Sequence, residues 1–437
     1  MGEDNTVIER LVDTAEINNK LFQDQHRMAS AVISEEDGLH VNGIIGDELR
    51  IRPLLTMERT AEGHVPHVLH RAKPLRSESA THDYVFMPRS DDSTQQHDRI
   101  LIEGRSISKI EPEVHVVMDS LYYKMFNSND NAIFAYYGAV LNSINLRYET
   151  IRDLKVTIKI TGFTFNNNTA DDKYISTFQK YHYQSHLIDM HATLKDFTST
   201  YRTEHYELFQ KTDMLALVTG KDMCYMEKGL VYCAPGGVAY VSAACTSFRT
   251  SLLEDKPWSY EAVRNMAHEL AHNLGCVHDG EGRDVSISSH PGAKACPWTD
   301  GYIMSYVQNS TNEFRFSNCC ANQIKHVAQL PTRGCLRTNN TKYAMPTTKY
   351  LPGTNVTLDE LCRKAFPYGT KGFIFDRSIP RPGCKVPCRS PASVRSGSYT
   401  WWATGLDGTP CGKVQQGTYN KICIRGECVE PPATTKK

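Results

Sequence analysis

The chain has 437 residues, with 49 Lys and Arg against 49 Asp and Glu. This balance excludes the basic surface expected of a nucleic-acid-binding protein, and no apolar run approaches the ~18 residues of a membrane span. The length suggests two or three domains, and a composition that is 40% hydrophobic and 22% charged predicts folded domains rather than disorder.

The 14 cysteines are unevenly placed, and none precedes Cys224. Eight lie between Cys224 and Cys335 and six between Cys362 and Cys428. Because both groups are even, we expect disulfides within two modules in an oxidising compartment. Zinc–cysteine clusters are the alternative, but their usual C-x2-C pairs are missing, and the spacing of Cys384 and Cys388 is a weak signal.

Four N-x-S/T sequons, together with the cysteines, predict a secreted, extracellular glycoprotein. They begin at Asn167, Asn309, Asn339 and Asn355. No signal peptide is present in this chain, because its polar start has no apolar core. The first six residues formally fit a myristoylation pattern, which would imply a cytosolic protein, but the cytosol would keep the cysteines reduced.

The first 110 residues carry short apolar runs that predict short strands and turns. Within them, residues 73–109 are largely polar and contain Pro74 and Pro88, which predicts an exposed linker.

From Glu113 onwards the pattern changes to that of an α/β domain. Apolar residues over 114–118, 154–160 and 215–218 predict buried strands, and the spacing over 129–148 predicts an amphipathic helix. Strands separated by helices indicate a mainly parallel sheet. After a linker near 337–353, the tail has too little apolar periodicity for a large core, so we expect disulfides to hold it together.

One stretch, from His268 to Asp279, carries the chemistry. His268 and His272 are four residues apart and share a helix face, and Gly275 can turn the chain so that His278 reaches the same metal ion. Three imidazoles leave the fourth position of a tetrahedral Zn²⁺ open for water, as in a catalytic site. Glu269 is then placed to take a proton from that water. Surface histidines on an ordinary helix are the alternative interpretation.

This motif resembles that of the metzincin zinc peptidases, and Asp279 after the third His resembles their adamalysin or reprolysin branch. The segment 302–306 is similar to the family's Met-turn, with Met304 beneath the metal. The resemblance implies a metzincin catalytic domain, α/β with a mainly parallel twisted sheet and an antiparallel edge strand. A β-rich prodomain-like segment would precede it, and a small disulfide-rich module would follow.

The resemblance also implies a substrate strand and a calcium site. Gly237, Val238, Ala239 and Tyr240 resemble the edge strand to which an extended peptide adds. Glu113 and Asp213 resemble ligands of a structural Ca²⁺. The position that carries a further ligand, a side-chain amide, in the family is occupied by Thr338 here, and Asn339 follows one position later. Surface carboxylates without an ion are the alternative.

The resemblance predicts three domains: residues 1–110 as prodomain-like segment and linker, 111–340 as zinc metalloprotease domain, and 341–437 as linker and cysteine-rich module. Residues 63–71 resemble the end of the family's prodomain. Such prodomains often silence the zinc with a cysteine, and since this one has none, any inhibition must be steric or use another ligand. The tail resembles that of thrombospondin-type relatives, and the short architecture is most similar to secreted salivary metalloproteases of ticks.

The sequence thus predicts a secreted zinc endopeptidase, a zymogen whose substrates are extracellular matrix or plasma proteins, with no nucleic-acid partner and no membrane span. The alternative is a non-catalytic or latent binding protein that acts through its cysteine-rich tail.

Overall fold

The computed structural model describes residue 11 and residues 15–24, 27–46, 48–71, 83–88, 107–178, 186–233, 236–307, 311–345, 357–366, 372–381, 383–390, 399–405, 408–415, 418–424 and 427–430. No helix within these ranges is long and apolar enough to cross a membrane.

The N-terminal lobe, residues 15–71, is a helix followed by an antiparallel five-stranded meander. Its elements are α1 (Ala15–Lys20), β1 (Leu21–Asp24), β2 (Ala29–Ser34), β3 (His40–Ile45), β4 (Leu49–Pro53) and β5 (His67–Arg71). The predicted short strands are confirmed here.

The Asp83 segment, residues 83–88, contradicts the predicted exposed linker. Asp83 is fully buried, and β6 (Tyr84–Phe86) joins a sheet whose other strands lie within residues 113–254. The linker prediction was wrong at this point because it weighed only the polarity of the surrounding residues. The rest of that predicted linker, up to residue 106, lies outside the described residues.

The remaining strands of the central region, in chain order, are β7 (Lys109–Ile110), β8 (Glu113–Met118), β9 (Lys155–Val156), β10 (Lys159–Phe165), β11 (Leu187–Asp189), β12 (Met214–Thr219), β13 (Asp222–Glu227), β14 (Leu230–Tyr232), β15 (Gly237–Val241) and β16 (Thr250–Glu254). Its helices are α2 (Ser120–Met125), α3 (Asp130–Tyr148), α4 (Met190–Glu204), α5 (Tyr206–Lys211), α6 (Ala262–Asn273) and α7 (Asn318–Gln329), with 3-10 turns at Trp298–Asp300, Thr311–Phe314 and Pro331–Arg337.

Six strands form the central sheet in the order β10, β8, β12, β16, β15, β6. The first four run parallel, β15 is antiparallel to β16, and β6 is parallel to β15. Every residue of β8 and β12 is buried, because helices cover both faces of the sheet. The predicted mainly parallel sheet with an antiparallel strand is therefore confirmed. That strand, β15, was predicted at the edge, and here β6 pairs with it and forms the edge.

Asn129 is the N-cap of helix α3, and its side chain accepts the Ala132 amide. The amphipathic prediction for this helix was wrong, because every residue from Tyr136 to Tyr148 is buried. One side faces the core, and the N-terminal lobe covers the other: a Cβ on Gly138 would lie 3.5 Å from Leu21 Cδ2. A helix enclosed by two layers needs no polar face.

The C-terminal module has a helix, α8 (Leu358–Ala365), and two small antiparallel sheets. Their strands are β17 (Ile374–Phe375), β18 (Lys385–Arg389), β19 (Thr400–Thr404), β20 (Pro410–Gln415), β21 (Thr418–Ile424) and β22 (Glu427–Val429). Its core is a small cluster around Phe373 and Val386, as expected for a domain that depends on cross-links.

Seven disulfides pair all 14 cysteines, and none crosses between the two predicted groups. The pairs are 224–233, 245–335, 276–320 and 296–319 in the central region, and 362–388, 384–423 and 411–428 in the tail. The two-module prediction is confirmed, and the zinc–cysteine alternative was wrong because no thiol remains free.

Candidate active site

Helix α6 presents the first two histidines. Val263, Met266 and Ala267 bury the opposite face of the helix in the main core, so His268 and His272 lie together on the face towards β15. Gly275, with φ +123°, then ends the helix. Only glycine adopts this conformation readily, and a Cβ there would lie 2.6 Å from Val327 Cγ2. The turn brings His278, fully buried, to the other two.

Hydrogen bonds to the backbone fix how two of the rings are protonated. His268 Nδ1 lies 2.8 Å from the Ile303 carbonyl oxygen, and His272 Nδ1 lies 2.7 Å from the Cys276 carbonyl oxygen. A carbonyl only accepts, so each Nδ1 carries the proton and each Nε2 in the neutral ring is a bare lone pair. These two Nε2 atoms lie 3.0 Å apart.

Asp83 is the residue that sequence reasoning missed. Its carboxylate lies among the three rings, with Oδ2 3.0 Å from His268 Nε2 and Oδ1 3.0 Å from His278 Nε2. Ligand atoms from Asp83, His268, His272 and His278 all lie within 4.8 Å of one another. Its only sequence signal is an acidic residue before the apolar run 84–86, which is too common a pattern to single out.

The donor set fits a zinc ion. The bare Nε2 lone pairs of His268 and His272 converge with the Asp83 carboxylate, an arrangement that is unfavourable unless a cation lies between them. Asp83 Oδ1 lies close to His278 Nε2 but forms no hydrogen bond of good geometry among the described residues, as expected of an oxygen directed at a metal. Three imidazoles and one carboxylate make a four-ligand set typical of zinc.

Glu269 is almost fully buried beside the cluster, and its Oε2 has no hydrogen-bond partner in the described part of the chain. Burial, reinforced by repulsion from Asp83, raises its pKa well above the usual range. A carboxyl group with a raised pKa can both accept and return a proton near neutral pH.

The start of β15 passes directly over Glu269. A Cβ on Gly237 would lie 2.3 Å from Glu269 Oε1, so only glycine lets the strand approach this closely. The four predicted substrate-strand residues form most of β15, and in this structure β6 pairs with the strand: Ala239 is opposite Tyr84, and its N–H donates to the Asp83 carbonyl oxygen (3.1 Å). The pairing shows that the edge accepts an added strand.

Met304 is fully buried in the main core. Its carbonyl oxygen accepts the Asp279 amide (3.0 Å), and the Asp279 side chain accepts the Ser317 hydroxyl (2.6 Å). These contacts tie the turn at 302–306 to the chain that follows His278, which holds the third histidine in place.

Two tyrosines complete the site, and neither was predicted. The Tyr306 hydroxyl donates to Asp83 Oδ2, and the Tyr84 hydroxyl donates to Glu281. The Tyr84 ring centroid lies 5.1 Å from that of His272 and 5.0 Å from that of His278. Aromatic groups therefore cover the cluster on the side of the Asp83 segment.

The two carboxylates predicted to bind calcium meet away from the histidines. Asp213 Oδ2 accepts the Glu113 amide (2.9 Å), and Glu113 Oε1 accepts the amides of Asn340 and Thr341 (3.0 Å each). The amide of Asn339 also reaches Glu113 Oε1 (2.7 Å), so Asn339 and not Thr338 brings an amide side chain to this place. Burial raises the pKa of Asp213 to about 6.

Comparisons with known proteins agree with this geometry. The family model Reprolysin_5, metallo-peptidase family M12, matches residues 111–317. A Bombyx mori protein named a disintegrin and metalloproteinase with thrombospondin motifs like is 28% identical, over 83% of this chain and 51% of its own length. The venom metalloproteinase antarease TserMP_A of Tityus serrulatus is 25% identical, over 74% of this chain and 81% of its own.

Among solved structures, metalloproteinase-II from Bacteroides fragilis shares 11% identity over 69% of this chain and 79% of its own, with a TM-score of 0.36. The family match covers β8 to α6, all three histidines and the Met304 turn. Residues 111–317 are therefore a reprolysin-type zinc metallopeptidase domain of family M12.

Proposed function

We propose that the chain is a secreted zinc endopeptidase in which His268, His272 and His278 hold the metal and Glu269 is the general base. The observation that carries this proposal is the convergence of bare imidazole nitrogens beside a buried carboxyl group with a raised pKa. Zinc bound there supplies Lewis-acid activation of water and of the scissile carbonyl.

The protein's own groups supply the proton transfers and the alignment. Glu269 accepts a proton from the attacking water and returns it to the leaving amine, and burial keeps that proton within the site. The backbone of β15 binds the peptide as an added strand, so main-chain hydrogen bonds give affinity with little demand on sequence. Met304 and Asp279 position the third histidine.

The substrates we propose are extracellular matrix or plasma proteins. The names of the relatives, thrombospondin-motif and venom metalloproteinases, support a protease that acts outside the cell. The seven disulfides support secretion. Asn167 and Asn339 are exposed, as glycosylation requires, and Asn309 and Asn355 lie outside the described residues. The similarity to tick salivary enzymes and the three domain boundaries stay predictions.

Calcium at Glu113 and Asp213 also stays a prediction. It is supported by Glu113 Oε2, a buried oxygen with no hydrogen-bond partner in the described ranges. Two carboxylates and nearby carbonyl oxygens suit a hard cation.

The Glu269→Gln variant tests the mechanism, because Glu269 is not a ligand. We expect it to retain one zinc per chain and to lose activity by about 10²–10⁴-fold, the usual contribution of a general base. Zinc content and turnover of a denatured protein substrate are measured on one preparation. Because the chain is predicted to be a zymogen, turnover is followed after a limited tryptic cut between Pro88 and Ile107. Arg89, Arg99 and Arg105 are the trypsin sites in this stretch.

The matched control is His272→Ala, on the same face of α6, which should lose both zinc and activity. Near-normal turnover in Glu269→Gln would overturn the role of Glu269. Full zinc retention in His272→Ala would overturn the metal site itself.

A further inference from the structure

The Asp83 segment occupies the place where the proposed enzyme would bind both its water and its substrate. Asp83 is fully buried among the three histidines, although it is 185 residues from His268 along the chain. A buried carboxylate without a cationic partner is strongly unfavourable. Among the described residues only the three histidines, and no Lys or Arg, pair with Asp83. Histidines that hold a metal are neutral, so the metal is then the cation that faces this carboxylate.

The backbone of the segment is held independently of that carboxylate. Residues 84–86 pair with 239–241 of β15 in parallel register, which uses the hydrogen-bonding edge that a peptide would need. The Tyr84 ring lies against His272 and His278, and its hydroxyl donates to Glu281. The hydrogen-bonding edge of β15 and the cluster of three histidines are therefore both covered by the six-residue Asp83 segment.

The position of the segment is that of an inhibitor and not that of a substrate about to be cleaved. The group that lies among the imidazoles is a side-chain carboxylate, whereas the Asp83 carbonyl oxygen accepts the Ala239 amide (3.1 Å). The Asp83 carbonyl is therefore engaged by β15 and is not directed at the histidines. Tyr306 donates to the same carboxylate, so its hydroxyl is also unavailable to a substrate.

Resting on the proposed zinc site, we propose that Asp83 is the fourth metal ligand of the unprocessed chain and that the Asp83 segment is a built-in inhibitor of the peptidase. The Asp83 carboxylate takes the role that a cysteine has in the prodomains that this segment resembles. The N-terminal lobe is itself docked on the domain, because Leu21 packs over Gly138 of α3 and the Tyr260 hydroxyl donates to Asn42 Oδ1 (2.9 Å).

The test uses the full chain loaded with Co²⁺, whose visible absorption reports the ligands directly. Asp83→Asn keeps the shape of the side chain and removes its charge, and Asp37→Asn makes the same change at an exposed turn of the N-terminal lobe. Acetohydroxamate is the probe for an open metal position. Tyr306→Phe removes only the hydroxyl that donates to Asp83.

We expect Asp83→Asn to change the cobalt spectrum and to bind acetohydroxamate at least about tenfold more tightly than the unaltered chain, since even groups around metal ligands change metal sites by about 10–100-fold. Without proteolysis, its peptidase activity should rise at least about tenfold. Tyr306→Phe should tighten acetohydroxamate binding by a smaller factor, and Asp37→Asn should match the unaltered chain.

An Asp83→Asn chain with unchanged spectrum and acetohydroxamate affinity would overturn the inference while leaving the proposed function intact, provided that His272→Ala loses the cobalt. Failure of the unaltered chain to bind one cobalt, or full binding by His272→Ala, would instead overturn the proposed function. If Asp83→Asn were poorly folded, an unchanged acetohydroxamate affinity in Tyr306→Phe would count against the inference.

Discussion

The N-terminal lobe and the metallopeptidase domain are each stabilised in a different way. In the domain, β8 and β12 are buried at every position, and four disulfides cross-link residues that are 9 to 90 positions apart. The lobe has no cysteine, and among its described residues only Leu21 and Ile44 are fully buried apolar side chains. Both belong to the domain's main core cluster, so the lobe is stabilised by docking. The domain is thus stabilised by its own core and cross-links, and the lobe by its contact with the domain.

Removal of the disulfide between Cys245 and Cys335 should have the largest effect on this contrast. The bond closes 90 residues, and replacing both cysteines by Ala should destabilise the domain by about 4–5 kcal/mol through the entropy of the unfolded chain. Hydrogen exchange in β8 and β12 measures the loss. A Cys411→Ala, Cys428→Ala chain is the control, since that pair lies in the tail. Equal protection of β8 in both variants would break the comparison.

Truncation of Leu21 to Ala should loosen the lobe and spare the domain. Leu21 is 1% exposed, and loss of such a side chain costs about 2–5 kcal/mol. We expect faster exchange in β2 and β3 with β8 and β12 unchanged. Leu39→Ala, at a side chain 52% exposed, is the matched control. Uniform loss of protection across lobe and domain would show that the two unfold as one unit.

The smallest effect should come from Tyr260→Phe, which removes one hydrogen bond between domain and lobe. The Tyr260 hydroxyl donates to Asn42 Oδ1, and a neutral hydrogen bond contributes about 0.5–1.5 kcal/mol. A double-mutant cycle with Asn42→Ala, read by exchange in β3, isolates the pair. Strictly additive effects would mean that this contact does not couple lobe to domain.

Local patterns explain why much of the molecule was predictable. Short stretches of sequence with a regular spacing predicted three features: the two histidines four residues apart, the turn at Gly275 and the alternating strands. In the helix and the strands, the spacing alone determines which side chains share a face. The even cysteine groups predicted two modules, although the pairings within each depend on the fold. Asp83 could not be found in this way, because its role depends on contacts 185 and 195 residues away along the chain. The amphipathic prediction for helix α3 was wrong for a related reason. The lobe buries the second face of the helix, and the sequence of the helix alone does not show that contact.

The connection between Asp83 and the domain it contacts makes inhibitor and enzyme one molecule. While the chain is intact, the segment meets the metal at a local concentration of order mM, whatever the protein concentration outside. One cut between Pro88 and Ile107 changes that, because the segment and its lobe then become a separate molecule that dilution can remove. Freshly cut protein should thus stay inactive in concentrated solution and gain activity per molecule as it is diluted, which serial dilution before assay would reveal.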